Sequence, residues 1–411
     1  MRNDFSNKRS MMNQEQKGQS PFFPGQPVPV DLFVGRSQEK ERIDRASYQV
    51  ANGKPQAIFI TGEYGIGKSS LARFARLAAE ENQGVIGFHC MLGGVSTLDD
   101  LSLSVVQSIV DSYSTKPSVT KTIRDFLSEY IGEQSLFGVT LRLDKLKKDA
   151  PDISRGFLPF LRQIYHRIQK EYKGILLIID EINGITGNPN FGAFLKGLVD
   201  ENALSDTPLP LLLMVCGTEE RYREIVKNYI PVERIFHIIQ IDKMSDEEMR
   251  DFFDKAFDKV GMRVDAEAMD LICRNSGGFP RLMHLVGDAA FWIAKNNTIN
   301  EETAIQAILV AAEDVGRKFL DQQVYKALKS PHYHEILKKL SHLNVGPELK
   351  FKKNQIDTKL NADEKKKLNN FLQRMKKLNV IFPSEQRGEY IIRDRLTFIY
   401  FRMKSFEFGD K

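Results

Sequence analysis

The run Gly62-Glu63-Tyr64-Gly65-Ile66-Gly67-Lys68-Ser69 constrains the fold more than any other stretch of the chain. AIFIT (57–61) precedes it, short, apolar and β-branched, which reads as a buried strand. SSLARFARLAAEE (69–81) follows, with Leu71, Phe74, Ala75, Leu77 and Ala78 at helical spacing. The loop fits G-x-x-x-x-G-K-[ST], a pattern that works only between a strand and the N-terminus of a helix. Gly65 and Gly67 let successive N–H groups turn into one concavity suited to phosphate. Lys68 supplies a point charge for β- and γ-phosphates. Ser69 offers its hydroxyl to a Mg²⁺ ion that keeps most of its waters.

Four further apolar runs suit a parallel sheet: GVIGFHC (84–90), ILLIID (175–180), LLLMVCG (211–217) and IFHIIQI (235–241). Helical stretches separate all five, the pattern of a doubly wound α/β domain. The second and third runs are far apart, and residues 115–153 between them read as a helical insertion or a mobile region. Beyond the fifth strand the pattern changes to four helices, 245–261, 265–278, 280–297 and 300–316. Ser245, Asp265 and Asn300 are the expected N-caps, and Pro280 suits a first helical position. Short helices in HEILKKLSHL and QIDTKL, a stronger helix over 362–378 and a hairpin in VIFPSEQRGEYIIRD then give a winged-helix pattern. The expected division is a disordered tail over 1–25, a nucleotide-binding domain over 26–244, a helical lid over 245–318 and a winged helix over 319–411.

The chain has 411 residues, 42% hydrophobic and 27% charged, enough for two or three cores. Its net charge of +5 is unevenly spread: 20 Lys+Arg against 11 Asp+Glu after residue 320 put the basic balance at the C-terminal end. Nucleic-acid contact is expected there first. No apolar run is long enough to span a bilayer, and the polar N-terminus lacks a signal core, so no membrane partner is expected. Cys90, Cys216 and Cys273 lie far apart in apolar or helical surroundings. They read as reduced structural residues, which together with the missing signal suits a cytoplasmic protein.

Each further candidate has two readings. Asp180 and Glu181 close an apolar strand: Asp180 can hold Mg²⁺ and Glu181 can polarise an attacking water, or both are solvated turn acids. Thr218, after the fourth strand, can contact a γ-phosphate or cap the next helix, and the two roles are compatible. Arg281 lies in a helix first turn, where a cation opposes the macrodipole, so it either meets a phosphate or is solvated. Arg234 precedes the fifth strand, as an arginine finger for a neighbouring protomer or as a salt-bridged surface residue. Arg221 and Arg223 are weaker candidates for that role. On helix 362–378, Lys366, Asn370, Gln373 and Lys377 share one face, flanked by Lys367 and Arg374. That face is a DNA recognition surface or a solvated one.

The ordered set LFVGRSQE (32–39), GEYGIGKSS, LLIIDE, CGT, the Arg234 region with MSDEE, and GGFPR resembles the AAA+ ATPases. The similarity is to the branch of origin-recognition initiators, archaeal-type ATPases and STAND signalling NTPases. It covers about 30–317, and a winged helix often follows in that branch. Ser37 departs from the glutamate usual in the STAND-like GRExE. The resemblance implies a five-stranded P-loop core with ATP and Mg²⁺ held by Gly62, Glu63, Tyr64, Gly65, Ile66, Gly67, Lys68, Ser69 and Ser70. It implies Val34, Gly35 and Arg36 beside adenine and ribose, Asp180 and Glu181 as Walker B, Thr218 as sensor 1 and Arg281 as sensor 2. Two functions follow as expectations. One is a homo-oligomeric ATPase assembled on double-stranded DNA or a DNA-bound partner, with Lys68, Glu181, Thr218 and Arg234 catalytic. The other is a signalling switch whose winged helix docks a protein partner.

Overall fold

The computed structural model describes residues 17–26, 28–111, 116–131 and 153–407. They form two compact units, Pro27–Asp242 and Lys243–Lys411, the latter together with the described part of Met1–Gln26.

The first unit is built on five parallel strands: β1 (Gln56–Gly62), β2 (Val85–Met91), β3 (Gly174–Asp180), β4 (Leu211–Gly217) and β5 (His237–Ile241). Their spatial order is β2-β3-β4-β1-β5, so β1 lies between β4 and β5 and two strands away from β3. The register pairs Ile60 with Cys216 and with Ile239. Helices α1 (Ser37–Ala51) and α2 (Lys68–Ala78) cover one face of the sheet. The other face carries α3 (Leu98–Asp111), α4 (Pro117–Ile131), α5 (Ile153–Ile168), α6 (Pro189–Ala203) and α7 (Glu219–Asn228). Period-2 alternation sorts the side chains. Phe59, Phe88, Leu177 and Leu213 enter the core under α3–α7. Ile58, Leu176 and Leu212, equally buried, face α1 and α2. Of the expected insertion, Pro117–Ile131 is helix and residues 132–152 lie outside the described residues.

The second unit begins with α8 (Asp246–Asp258), the short strand β6 (Arg263–Val264), α9 (Ala266–Ser276), α10 (Pro280–Ile293), β7 (Thr298–Ile299) and α11 (Glu301–Val315). Ser245 closes a capping box with Glu248, and Asn300 accepts the Thr303 N–H, both as the sequence suggests. Asp265 precedes α9 without a side-chain cap hydrogen bond. Next come α12 (Pro331–Ser341), β8 (Lys350–Lys352), α13 (Lys353–Asp357), α14 (Ala362–Lys377), β9 (Ile381–Pro383), β10 (Glu389–Ile392) and α15 (Arg395–Glu407). The three strands form an antiparallel sheet in the order β8-β10-β9.

Two features of the structure bear on the expected division. The first concerns the tail: residues from Lys17 are packed onto the second unit, and only 1–16 of the expected disordered stretch lie outside the described residues. Phe22 is 4% exposed, its ring meeting Phe252 and Phe257 edge-on at 5.9 and 5.0 Å. Ser20 donates to Asp288 at 2.6 Å, and the Lys17 ammonium meets the carbonyls of Phe291, Trp292 and Ala294 at the end of α10. A polar, proline-rich composition hid one large aromatic anchor. The second concerns the boundary at 318/319, which falls where α11 runs on through Gly316–Tyr325. Helix α15 packs back on α11: the Tyr400 ring occupies the space a Cβ on Gly316 would need, and its hydroxyl donates to Asp321 at 2.8 Å.

Candidate nucleotide site

The loop between β1 and α2 has the conformation its glycines suggest. Gly65 and Gly67 have φ of 79° and 102°, and Gly67 is the left-handed residue at the N-cap of α2. Gly62 has a separate reason to lack a side chain. A Cβ there would lie 2.8 Å from the Ile241 carbonyl, so β5 comes too close for any other residue. Ile66 anchors the loop in the core, while Glu63 and Tyr64 are exposed. The Lys68 ammonium donates to the carbonyls of Gly62 and Glu63 at 2.9 and 2.8 Å, which holds it over the loop. Burial lowers its pKa, opposed by the nearby carboxylates of Asp180 and Glu63. Ser69 and Ser70 are half-buried in the first turn of α2, and Ser70 Oγ accepts the Val28 N–H at 3.3 Å.

Val34, Gly35 and Arg36 lead into α1. Gly35 and Arg36 both have positive φ, and Arg36 is 6% exposed. Its guanidinium donates to the Ile66 carbonyl at 3.2 Å and lies 3.6 Å from Glu39. Arg36 thus ties this segment to the phosphate-type loop, a buried structural contact that the sequence left open.

Asp180 ends β3 and is 2% exposed. Its Oδ1 accepts the Glu181 N–H at 2.8 Å, and its Oδ2 lies 3.1 Å from His89 Nε2. Glu181 turns out of the strand at φ 58°, a left-handed conformation costly for a residue with a Cβ. The turn exposes its side chain, and the carboxylate comes within 3.3 Å of the position a Cβ on Gly93 would take. Leu92 N–H donates to the Asp180 carbonyl at 2.9 Å, so the segment after β2 is tied to this acidic pair. Thr218 is the N-cap of α7, its side chain accepting from the Arg221 N–H at 3.4 Å. Arg221 pairs with Glu224 and Arg223 with Glu219. Arg234 ends a 3-10 turn (Ile230–Arg234) before the edge strand β5; it is exposed and has no ion pair among the described residues. In the second unit, Arg281 is half-buried in the first turn of α10, likewise with no ion pair among the described residues.

Concave backbone N–H groups, an ammonium over them, a hydroxyl and a buried carboxylate are what a magnesium-bound polyphosphate needs. A family model described as an AAA ATPase domain matches residues 32–220. That segment is an AAA ATPase domain. The activity that follows is ATP hydrolysis. The comparison with curated proteins returned no match. Among solved structures, a Walker-type ATPase of Pyrococcus abyssi is 16% identical with a TM-score of 0.54, over 90% of this chain and 96% of that one. The ORC2 protein of Aeropyrum pernix, solved as ADPNP–ADP complexes, is 14% identical with a TM-score of 0.58, over 94% and 95%. Its ADP form is 13% identical at 0.50, over 97% of each chain. At these identities the likeness concerns the fold, a five-stranded parallel core followed by a largely helical C-terminal region.

The AAA ATPase domain brings two further residues, His89 and Gly93, beside the candidate acids. His89 interrupts the apolar β2, and its parity puts it on the α2 face with Asp180. The one available signal was a histidine at an even position in GVIGFHC. Gly93 is visible only from its approach to Glu181. The three cysteines are free and buried, and burial raises the Cys90 and Cys273 thiols to about 11 and the Cys216 thiol well above its ordinary value. No described helix is long and apolar enough to cross a membrane.

Proposed function

We propose that this ATPase assembles on double-stranded DNA, coupling its nucleotide state to oligomerisation. The observation that carries the proposal is a cleft of about 610 Å³ lined by Lys329, Ser330, Tyr333, Asn370, Gln373, Arg374 and Lys377. Three of these residues are cations and none is an acid. The cleft runs along the exposed side of α14, whose opposite side buries Leu368, Phe371, Leu372 and Met375. The order of helix α12, strand β8, helices α13 and α14 and the hairpin β9–β10, with Arg387 exposed in the hairpin turn, supports reading this region as a winged helix with α14 as its recognition helix. Backbone phosphates suit such a surface, and groove edges suit Asn370 and Gln373.

In the nucleotide site, the backbone from Gly62 to Ser70 and the Lys68 ammonium hold the phosphates. Ser69 and Asp180 would hold Mg²⁺. Two hard oxygen donors, one of them a buried carboxylate, fit an ion that takes its other ligands from phosphate and water. Magnesium supplies charge neutralisation on the phosphate oxygens. Glu181 orients the attacking water, and Thr218 contacts the γ-phosphate. Val34, Gly35 and Arg36 border the base. Arg234, exposed at the sheet edge, reaches the nucleotide of a neighbouring protomer.

The test is the steady-state ATPase rate with and without duplex DNA at two salt concentrations. Stimulation that weakens steeply with salt is expected, with a log–log slope of about −0.9 per neutralised phosphate. Lys377→Ala should lower that slope by about one. A slow rate indifferent to DNA would overturn the proposal and favour a nucleotide switch whose C-terminal unit docks a protein.

A further inference from the structure

We infer that His89 is a positioning residue for magnesium: it fixes the lone pairs that Asp180 presents to the ion. The inference rests on Asp180 as the carboxylate beside the metal. The 3.1 Å contact between His89 Nε2 and Asp180 Oδ2 joins neighbouring strands. The register pairs Met91 with Asp180, and His89 lies two residues earlier on the same face of β2. Cys90 and Phe88, on the opposite face, enter the core under α3–α7. Gly87 shares the His89 face, where α2 packs so closely that a Cβ would lie 2.2 Å from Arg76. His89 and Asp180 therefore lie under the helix that begins at Lys68 and Ser69.

An ionised carboxylate only accepts, so Nε2 is the donor in this pair. Each Asp180 oxygen has two lone pairs. The Glu181 N–H takes one on Oδ1 and His89 takes one on Oδ2. That leaves one lone pair on each oxygen for other partners. With two fixed donors the carboxylate cannot rotate about χ2 without losing a hydrogen bond at a site only 2% exposed. His89 itself is largely covered, with a side chain 17% exposed, so water does not readily replace it. A carboxylate bound in this way is set for a divalent ion and its waters before the ion arrives. His89 does not contact the phosphate-binding loop in any described hydrogen bond. Its effect is therefore expected on metal-dependent binding and turnover, with metal-free nucleotide affinity spared.

The experiment compares wild type, His89→Ala, His89→Gln and Asp180→Asn in the full chain. Affinity for a fluorescent ADP analogue is measured in EDTA and across a Mg²⁺ titration, alongside kcat and KM for ATP. For His89→Ala, affinity in EDTA should stay within about twofold while the Mg²⁺ midpoint rises roughly tenfold, and kcat should fall by a similar factor with KM little changed. His89→Gln, which can still donate to Oδ2, should recover most of the midpoint. Adding His89→Ala to Asp180→Asn should change the midpoint little further. If Asp180→Asn moves the Mg²⁺ midpoint and His89→Ala does not, the inference about His89 is wrong and the metal site stands. If Asp180→Asn leaves the midpoint where it was, the placement of the metal itself is wrong. Equal loss of affinity in EDTA and in Mg²⁺ for His89→Ala would make the histidine a packing residue only. A circular dichroism melt of each variant identifies any that fail to fold, and for those His89→Gln carries the comparison.

Discussion

Phe22→Ala tests whether the segment before the nucleotide-binding unit is part of the second unit's core. Phe22 is 4% exposed and surrounded by Phe252, Phe253, Phe257 and His284. Removing a ring so enclosed costs about 3–5 kcal/mol in a core that cannot collapse. Here the segment can detach instead, so the lower end, about 3 kcal/mol, is expected. In a unit of this size that corresponds to a fall in Tm of about 6–12 °C. The chain's single tryptophan, Trp292, lies on α10 with His284 and Gly287, so its fluorescence during urea unfolding reports on this unit alone. A second variant sharpens the test. A methyl on Gly287 would stand 2.3 Å from the Phe22 ring, so Gly287→Ala should expel the ring and destabilise to a similar degree. Combining it with Phe22→Ala should cost clearly less than the two single effects together, because the methyl then fills vacated space. Loss of less than about 0.5 kcal/mol in Phe22→Ala, or strict additivity of the pair, would refute the docking.

In the nucleotide site, Glu181→Gln should retain ATP binding, measured by equilibrium titration, and lose turnover by about a hundredfold or more. Unchanged turnover would remove Glu181 from the chemistry. Gly62→Ala places a methyl 2.8 Å from a backbone carbonyl of β5, so a stability loss of about 1–3 kcal/mol and weaker nucleotide binding are expected. An unaltered melting curve would contradict that close approach. Acid should weaken the second unit through His284, whose burial lowers its pKa from 6.5 to about 4. The unfolded state takes up this proton first, so the contribution is complete above about pH 6.5 and is lost as pH falls towards 4. The shift is worth about 3 kcal/mol. In His284→Leu the Trp292 unfolding midpoint should lose most of its slope across that interval. An unchanged slope would assign the acid sensitivity to other groups.

Much of the nucleotide site could be read from local pattern. The candidates Gly65, Gly67, Lys68 and Ser69 depend on their own backbone and their place at a helix start, so spacing alone points to them. Asp180 and Glu181 follow from their position after an apolar run. The sequence did not reveal what holds these groups in place. Arg36 bonds a carbonyl thirty residues on, His89 meets an acid ninety-one residues on, and Gly93 lies against Glu181. Each of these contacts depends on which strands are neighbours. Composition misled at the N-terminus, where one phenylalanine among prolines and polar residues was enough to dock the segment.

The sequence by itself determined most of the elements: where the main strands and helices lie, the caps at Ser245 and Asn300, and that a phosphate-type loop joins the first strand to its helix. Hydrogen bonding and side-chain period are local, so a few neighbouring residues specify them. Only the tertiary structure decided the order β2-β3-β4-β1-β5, the pairing of His89 with Asp180, the insertion of Phe22 and the return of α15 onto α11. Those depend on contacts between distant parts of the chain. Many arrangements would satisfy the same local pattern, and burial, together with the need to pair every buried polar group, selects among them.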